Sequence, residues 1–96
     1  MRVISRRALV EFSRQHAGSS SPLDAWYRIA RAADWSNLVE VQQTFASAEA
    51  VGDLTIFNIK GNTYRLIARI HYRLKIIYIR AVLAHADYDK GAWKKL

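Results

Sequence analysis

The spacing of apolar residues changes about halfway along the chain, and the two halves predict different elements. Met1 to Ile4 is short and β-prone, and Ser5 after it can cap a helix over residues 6–16. Ala8, Leu9 and Phe12 form the stripe such a helix would bury, and Gly18 with Ser19, Ser20 and Ser21 ends it. The best local start signal follows at once. Ser21 is placed as an N-cap, Pro22 at the first helical position and Asp24 three residues past the cap. Trp26, Ile29, Ala30 and Ala33 then recur at helical spacing. A third, short helix is predicted after Ser36 with Leu38, Val41 and Gln42, opposed by the β-branched Val39 and Val41. Residues 45–53 read as a connection.

From Thr55 the period falls to two. Thr55 to Lys60 alternates, Gly61-Asn62 is turn chemistry, and Thr63 to Tyr72 alternates again. Arg73-Leu74 interrupts before a third β-rich run from Lys75 to Leu83. The expected architecture is one α+β domain over residues 1–96. A small antiparallel meander packs against the N-terminal helices, with the N-terminal strand added on an edge.

If Arg73-Leu74 is a two-residue loop, the hairpin register follows. One face then pairs Ile70 with Ile77, Ala68 with Ile79, Leu66 with Ala81, and Tyr64 with Leu83, and should meet the helices. The opposite face pairs His71 with Ile76, Arg69 with Tyr78, Ile67 with Arg80, and Arg65 with Val82. A Gly61-Asn62 loop in the first hairpin brings Asn58 opposite Arg65 on that same face. Alternation by two thus gathers three arginines, a tyrosine and a histidine on one uncovered side of the sheet, and a one-residue slip would bury the arginines.

Charge sharpens this picture. Fifteen Lys and Arg against eight Asp and Glu give a formal charge of +7, which favours a polyanionic partner. The acids cluster early: Glu11, Asp24, Asp34, Glu40, Glu49 and Asp53 share residues 11–53 with only Arg14, Arg28 and Arg31. From Leu54 to Ala86 there is no carboxylate, whereas Lys60, Arg65, Arg69, Arg73, Lys75 and Arg80 are present. Such a run is expected to meet phosphate. No cysteine occurs, which removes disulfides, thiolate zinc sites and cysteine nucleophiles and fits a reducing compartment. His16, His71 and His85 are too scattered to predict a metal centre, and no Gly-rich phosphate loop or Ser-His-Asp grouping is evident, so no cofactor is expected. No apolar run approaches the roughly 18 residues of a membrane span. Glu11, Arg14 and Gln15 interrupt the segment after Arg2, Arg6 and Arg7, so no secretory signal is expected.

The stretch YRLIARIHYRLKIIYIRAVLAH, residues 64–85, continues into Ala86-Asp87-Tyr88-Asp89-Lys90 and resembles the HigB toxins of bacterial toxin–antitoxin systems, within the RelE-like superfamily. Phe57-Asn58-Ile59-Lys60-Gly61-Asn62 extends the likeness upstream, and Asp34-Trp35-Ser36 does so more loosely. The carrying elements are the Tyr-Arg-Leu-Ile strand, the His-Tyr approach to the hairpin, the Tyr-Ile-Arg strand and the His-x-x-Tyr-Asp terminus, in order. The resemblance implies the RelE-like toxin fold, a cytoplasmic bacterial mRNA interferase (often working on the ribosome), and a helix-turn-helix antitoxin of the HigA kind as partner.

RNA can be cut without a metal when its 2′-hydroxyl attacks the neighbouring phosphodiester. That takes a base, an acid and cations for the phosphorane. Arginine suits the last task because its fork matches phosphate oxygens and keeps its charge. Arg65 and Arg80 are the first candidates, with His85 as base or acid and Tyr88 to stack a splayed base or exchange a proton. The expected catalytic set is therefore Arg65, Arg80, His85 and Tyr88, and the expected RNA contacts are Lys60, Asn62, Arg69 and Arg73. Asp87 and Asp89 stand near enough in sequence to hold His85 or Tyr88 in place. Trp26, Trp35 and Trp93 read as core or docking aromatics. Two rivals use the same charge: a non-catalytic RNA- or ribosome-binding module, and an interaction protein whose cations seat an acidic partner helix.

Overall fold

The computed structural model describes residues 1–96 and joins the two halves through one sheet. In chain order the elements are β1 (Arg2–Ile4), α1 (Arg6–Gln15), α2 (Ser20–Ala32), α3 (Leu38–Thr44), β2 (Glu49–Val51), β3 (Leu54–Ile59), β4 (Tyr64–His71), β5 (Ile76–Ala84) and α4 (His85–Asp89), then a 3₁₀ turn, Ala92–Lys95. The sheet order is β1-β5-β4-β3-β2, with β1 parallel to β5 and the other neighbours antiparallel. This is the α+β architecture expected, with one strand more: the stretch read as a connection contains β2, which turns at Gly52 (φ +59°) to pair with β3. Three residues are too few for alternation to show.

The helices lie where the apolar spacing put them. Leu9 of α1 and Leu23, Trp26 and Ala30 of α2 are buried against Phe57, Leu66, Ala68 and Ile77 of the sheet. Trp26 meets Phe57 edge-on at 5.3 Å, and Phe45 and Trp35 close the cluster around the same ring. Helix α2 starts earlier than Ser21, from Ser19 as N-cap, so Pro22 is its third residue. The helix tolerates this, because N–H groups in a first turn lack an intrahelical acceptor in any case. Helix α3 survives its valines through reciprocal capping. Asn37 Oδ1 accepts from Glu40 N at 3.0 Å, and Glu40 Oε1 accepts from Ser36 N at 2.8 Å. Asn37→Ala is expected to cost about 1 kcal/mol, read as a lower midpoint in denaturant with an unchanged slope.

The register of β4 and β5 departs from expectation at one residue. His71, Ile70, Arg69 and Ala68 pair with Ile76, Ile77, Tyr78 and Ile79 as predicted, and Asn58 meets Arg65. Beyond that, Ile67 pairs with Ala81, Leu66 with Val82, Arg65 with Leu83 and Tyr64 with Ala84, so Arg80 is the extra residue of a β-bulge. The predicted partners Arg80, Ala81, Val82 and Leu83 are each displaced by one. Val82 now packs into the helix-side core, while Ala81 and Leu83 turn to the outer face.

That outer face is not uniformly open, contrary to expectation. Leu54, Ile56 and Ile67 on it form a second buried cluster with Trp93 from the C-terminal turn, flanked by Ala81, Leu83 and Tyr88. β3 is apolar on both parities because both its faces are covered.

Candidate active site

The C-terminal covering divides the outer face into two charged ends, and the residues expected to work together are split between them. At the α4 end, Arg65 is only 8% exposed. One guanidinium nitrogen donates to the carbonyls of Asn62 (3.0 Å) and Tyr64 (3.1 Å), and the other donates to the Asn62 side chain. The guanidinium carbon sits 5.1 Å from the centre of the Tyr88 ring, over its face. Trp93 stacks on Tyr88 at 4.9 Å and 9° and donates its indole N–H to the Tyr88 carbonyl at 2.8 Å. With Arg65 against it and Trp93 stacked on it, the Tyr88 ring offers little face to a splayed base; what it offers is its hydroxyl, which donates to Glu49 Oε1 at 3.3 Å. Burial, reinforced by the nearby Glu49 carboxylate, pushes the Tyr88 hydroxyl above the usual tyrosine range. The hydroxyl therefore holds its proton more firmly than a free tyrosine does, and the Arg65 guanidinium beside it works in the opposite direction.

His85 opens α4. Its backbone N–H donates to Thr63 O (3.1 Å), which ties it to the end of the first hairpin, and its Nδ1 lies 2.9 Å from Asp89 Oδ2. The carboxylate fixes the ring so that Nε2 is the free nitrogen, the arrangement a general base requires. His85 and Tyr88 stand three residues apart on α4, on one side of the helix.

At the hairpin end, Arg69, His71, Tyr78, Arg80 and Asp53 line an open groove of about 450 Å³. Arg80 is thus gathered with Arg69, not with Arg65. Arg73 is exposed in the hairpin loop itself and does not line the groove. Lys60 also stands apart: its φ of +53° breaks the strand alternation, and its ammonium fills the space that a Cβ on Gly18 would need, 2.9 Å away, beside the helix layer.

No ion pair holds Lys60, Arg65, Arg69, Arg73 or Arg80. The pairs that form are Arg6 and Arg28 with Asp24, Arg7 with Glu11, Lys75 with Asp34, Lys90 with Asp87 and His85 with Asp89. With Glu40 in the α3 cap and Glu49 on Tyr88, Asp53 is the one carboxylate left near the sheet arginines. Sequence reasoning missed Glu49, because it lies on the stretch taken as a connection; the only signal was Gly52-Asp53 as a turn between two short apolar runs. It also passed over the association of Asp53 and His71 with Arg69 and Arg80.

The chain is 26% identical over 93 residues to a protein of Escherichia coli O6:H1 (strain CFT073) named mRNA interferase HigB, covering 94% of this chain and 90% of that protein. The model of the HigB_toxin family, described as the RelE-like toxic component of a toxin-antitoxin system, matches residues 19–91. That span runs from α2 through every strand but β1 and includes the His85–Asp89 and Tyr88–Arg65 contacts, so the chain belongs to the HigB toxin family.

Proposed function

We propose that this toxin is an mRNA interferase that cuts RNA by 2′-hydroxyl attack, without a metal. The observation that carries the reading is the pairing on α4 of a carboxylate-held histidine with a tyrosine hydroxyl, beside the Arg65 guanidinium, which no ion pair holds. His85 Nε2 takes the 2′-hydroxyl proton as O2′ attacks phosphorus. The bond to the 5′-oxygen breaks, and Tyr88 gives that oxygen its proton. The products are a 2′,3′-cyclic phosphate and a 5′-hydroxyl end, with imidazolium and phenolate left to exchange a proton through water. Arg65 beside the ring lowers the cost of the phenolate, while Arg80, gathered with Arg69 at the other end of the sheet, holds the RNA. Lys60, Asn62, Arg69 and Arg73 contact flanking RNA.

As a toxic component the chain has an antitoxin as its partner. We further propose that this antitoxin is a helix-turn-helix protein of the HigA kind, and that cutting takes place in the bacterial cytoplasm on ribosome-bound mRNA. The E. coli relative's name supports the activity, and the resemblance of residues 64–90 supports the partner. Primer extension on RNA from cells expressing the chain tests the central claim. Discrete new 5′ ends are expected. Growth arrest without them would leave an RNA- or ribosome-binding module instead.

A further inference from the structure

The groove at the hairpin end takes no part in the proton transfers above, yet it is built to hold something. Four of its six lining residues, Arg69, His71, Tyr78 and Arg80, can donate a hydrogen bond, and Ile70 adds an apolar patch. Arg69 and Arg80 are exposed, and neither is in an ion pair. His71 Nδ1 accepts from Leu74 N at 3.2 Å, which leaves the ring proton on Nε2, so this exposed histidine presents a donor. Tyr78 is half-buried on β5 and, unlike Tyr88, has no ring stacked on it. Asp53 adds one acceptor at the rim. The volume, about 450 Å³, lies within the range of about 300–1,000 Å³ that small organic ligands occupy. Four residues along β4 separate Arg69 from Arg65, roughly 13 Å at strand rise, and Ile67 under Trp93 stands between them.

We propose that this groove is a nucleotide subsite that reads one base of the RNA beside the cut. Arg69 and Arg80 hold the phosphate, Tyr78 lies under the base, and the His71 donor and the Asp53 acceptor meet the base edge. The inference rests on the RNA-cutting reading and adds to it a place, away from His85, where base identity is selected. Two guanidiniums match a phosphate, and an unstacked tyrosine beside them matches a base. An acidic peptide would satisfy the arginines but would leave Tyr78 unused and would face Asp53.

Two measurements on the full chain test it. In the first, wild type and the variants Tyr78→Ala, His71→Ala and Asp53→Asn cut a pool of randomised single-stranded RNA, and the ends are sequenced. A base preference at one position flanking the cut is expected in wild type and should flatten in the variants. Tyr78→Phe, which keeps the stacking ring, should retain it. In the second, a single-stranded RNA oligonucleotide is titrated against His85→Ala protein with and without Arg69→Gln. The added change should weaken binding about tenfold, on the scale of one lost specific contact. Unchanged base profiles in a protein that still cuts, or unchanged RNA affinity, would overturn the subsite. Loss on Arg69→Gln of binding to a polyglutamate peptide, with RNA binding intact, would assign the groove to a protein partner and also overturn it. If wild type cuts no RNA, the reading of the activity fails, and the affinity measurement still decides the groove.

Discussion

Trp93→Ala is expected to cost about 3–5 kcal/mol of stability and to remove RNA cleavage along with it. The indole is 5% exposed and is the main cover for Leu54, Ile56 and Ile67 on the outer face. In a domain whose total stability is of the order of 5–15 kcal/mol, that loss would lower the melting temperature by more than about 10 °C. The effect on activity has a separate cause. Without the stacked indole and its N–H bond to the Tyr88 carbonyl, the tyrosine keeps only Arg65, Glu49 and what remains of its packing on the outer cluster. Trp93→Phe separates the two effects, since it fills most of the space and restores the stacked face but lacks the N–H donor. It should regain most of the stability. Thermal denaturation and a cleavage assay below the variant's midpoint read the two losses; a Trp93→Ala protein as stable as wild type would mean that the outer cluster contributes little.

His85→Ala should abolish growth arrest and slow cleavage about 100–10,000-fold, the usual contribution of a positioned acid or base. The fold should be indifferent to it. The side chain is 44% exposed, and its structural bond to Thr63 is made by the backbone N–H, which alanine keeps. Asp89→Asn should fall between wild type and His85→Ala, because a neutral amide still reaches the ring but makes a weaker bond to Nδ1 than a carboxylate does. Arg80→Ala is likewise expected to lose growth arrest with the melting temperature near that of wild type. Full toxicity of both His85→Ala and Arg80→Ala would refute the assignment of roles.

Where one physical signal dominated, the sequence predicted the structure well. Trp26, Ala30 and Leu9 recur at helical spacing and are buried, and the hairpin from Asn58 to Arg65 follows from a Gly61-Asn62 turn. Other features had no local signature. The bulge at Arg80 costs one residue of register and leaves the strand composition unchanged, so Ala81 and Leu83 were assigned to the wrong side. The enclosure of Arg65 follows from α4 folding back over β4, a long-range event that strand alternation does not encode. Trp93 was recognisable as a docking aromatic, but its place on the charged face was not. The carboxylate-free run from Leu54 to Ala86 was the most informative feature, since five of its six cations, all but the Asp34-paired Lys75, are left without an ion pair by the folded chain.

That lack of acids bears on how the protein responds to ionic strength. Seating RNA on Arg69, Arg80 or Lys60 severs no ion pair within the chain, so the protein gives up no Coulombic attraction of its own at the moment of contact. The salt dependence of association then reflects the small ions released from the nucleic acid, about 0.7 per neutralised phosphate on a single strand. A toxin arranged this way would be tightest in dilute media and would loosen steadily as the medium becomes more concentrated.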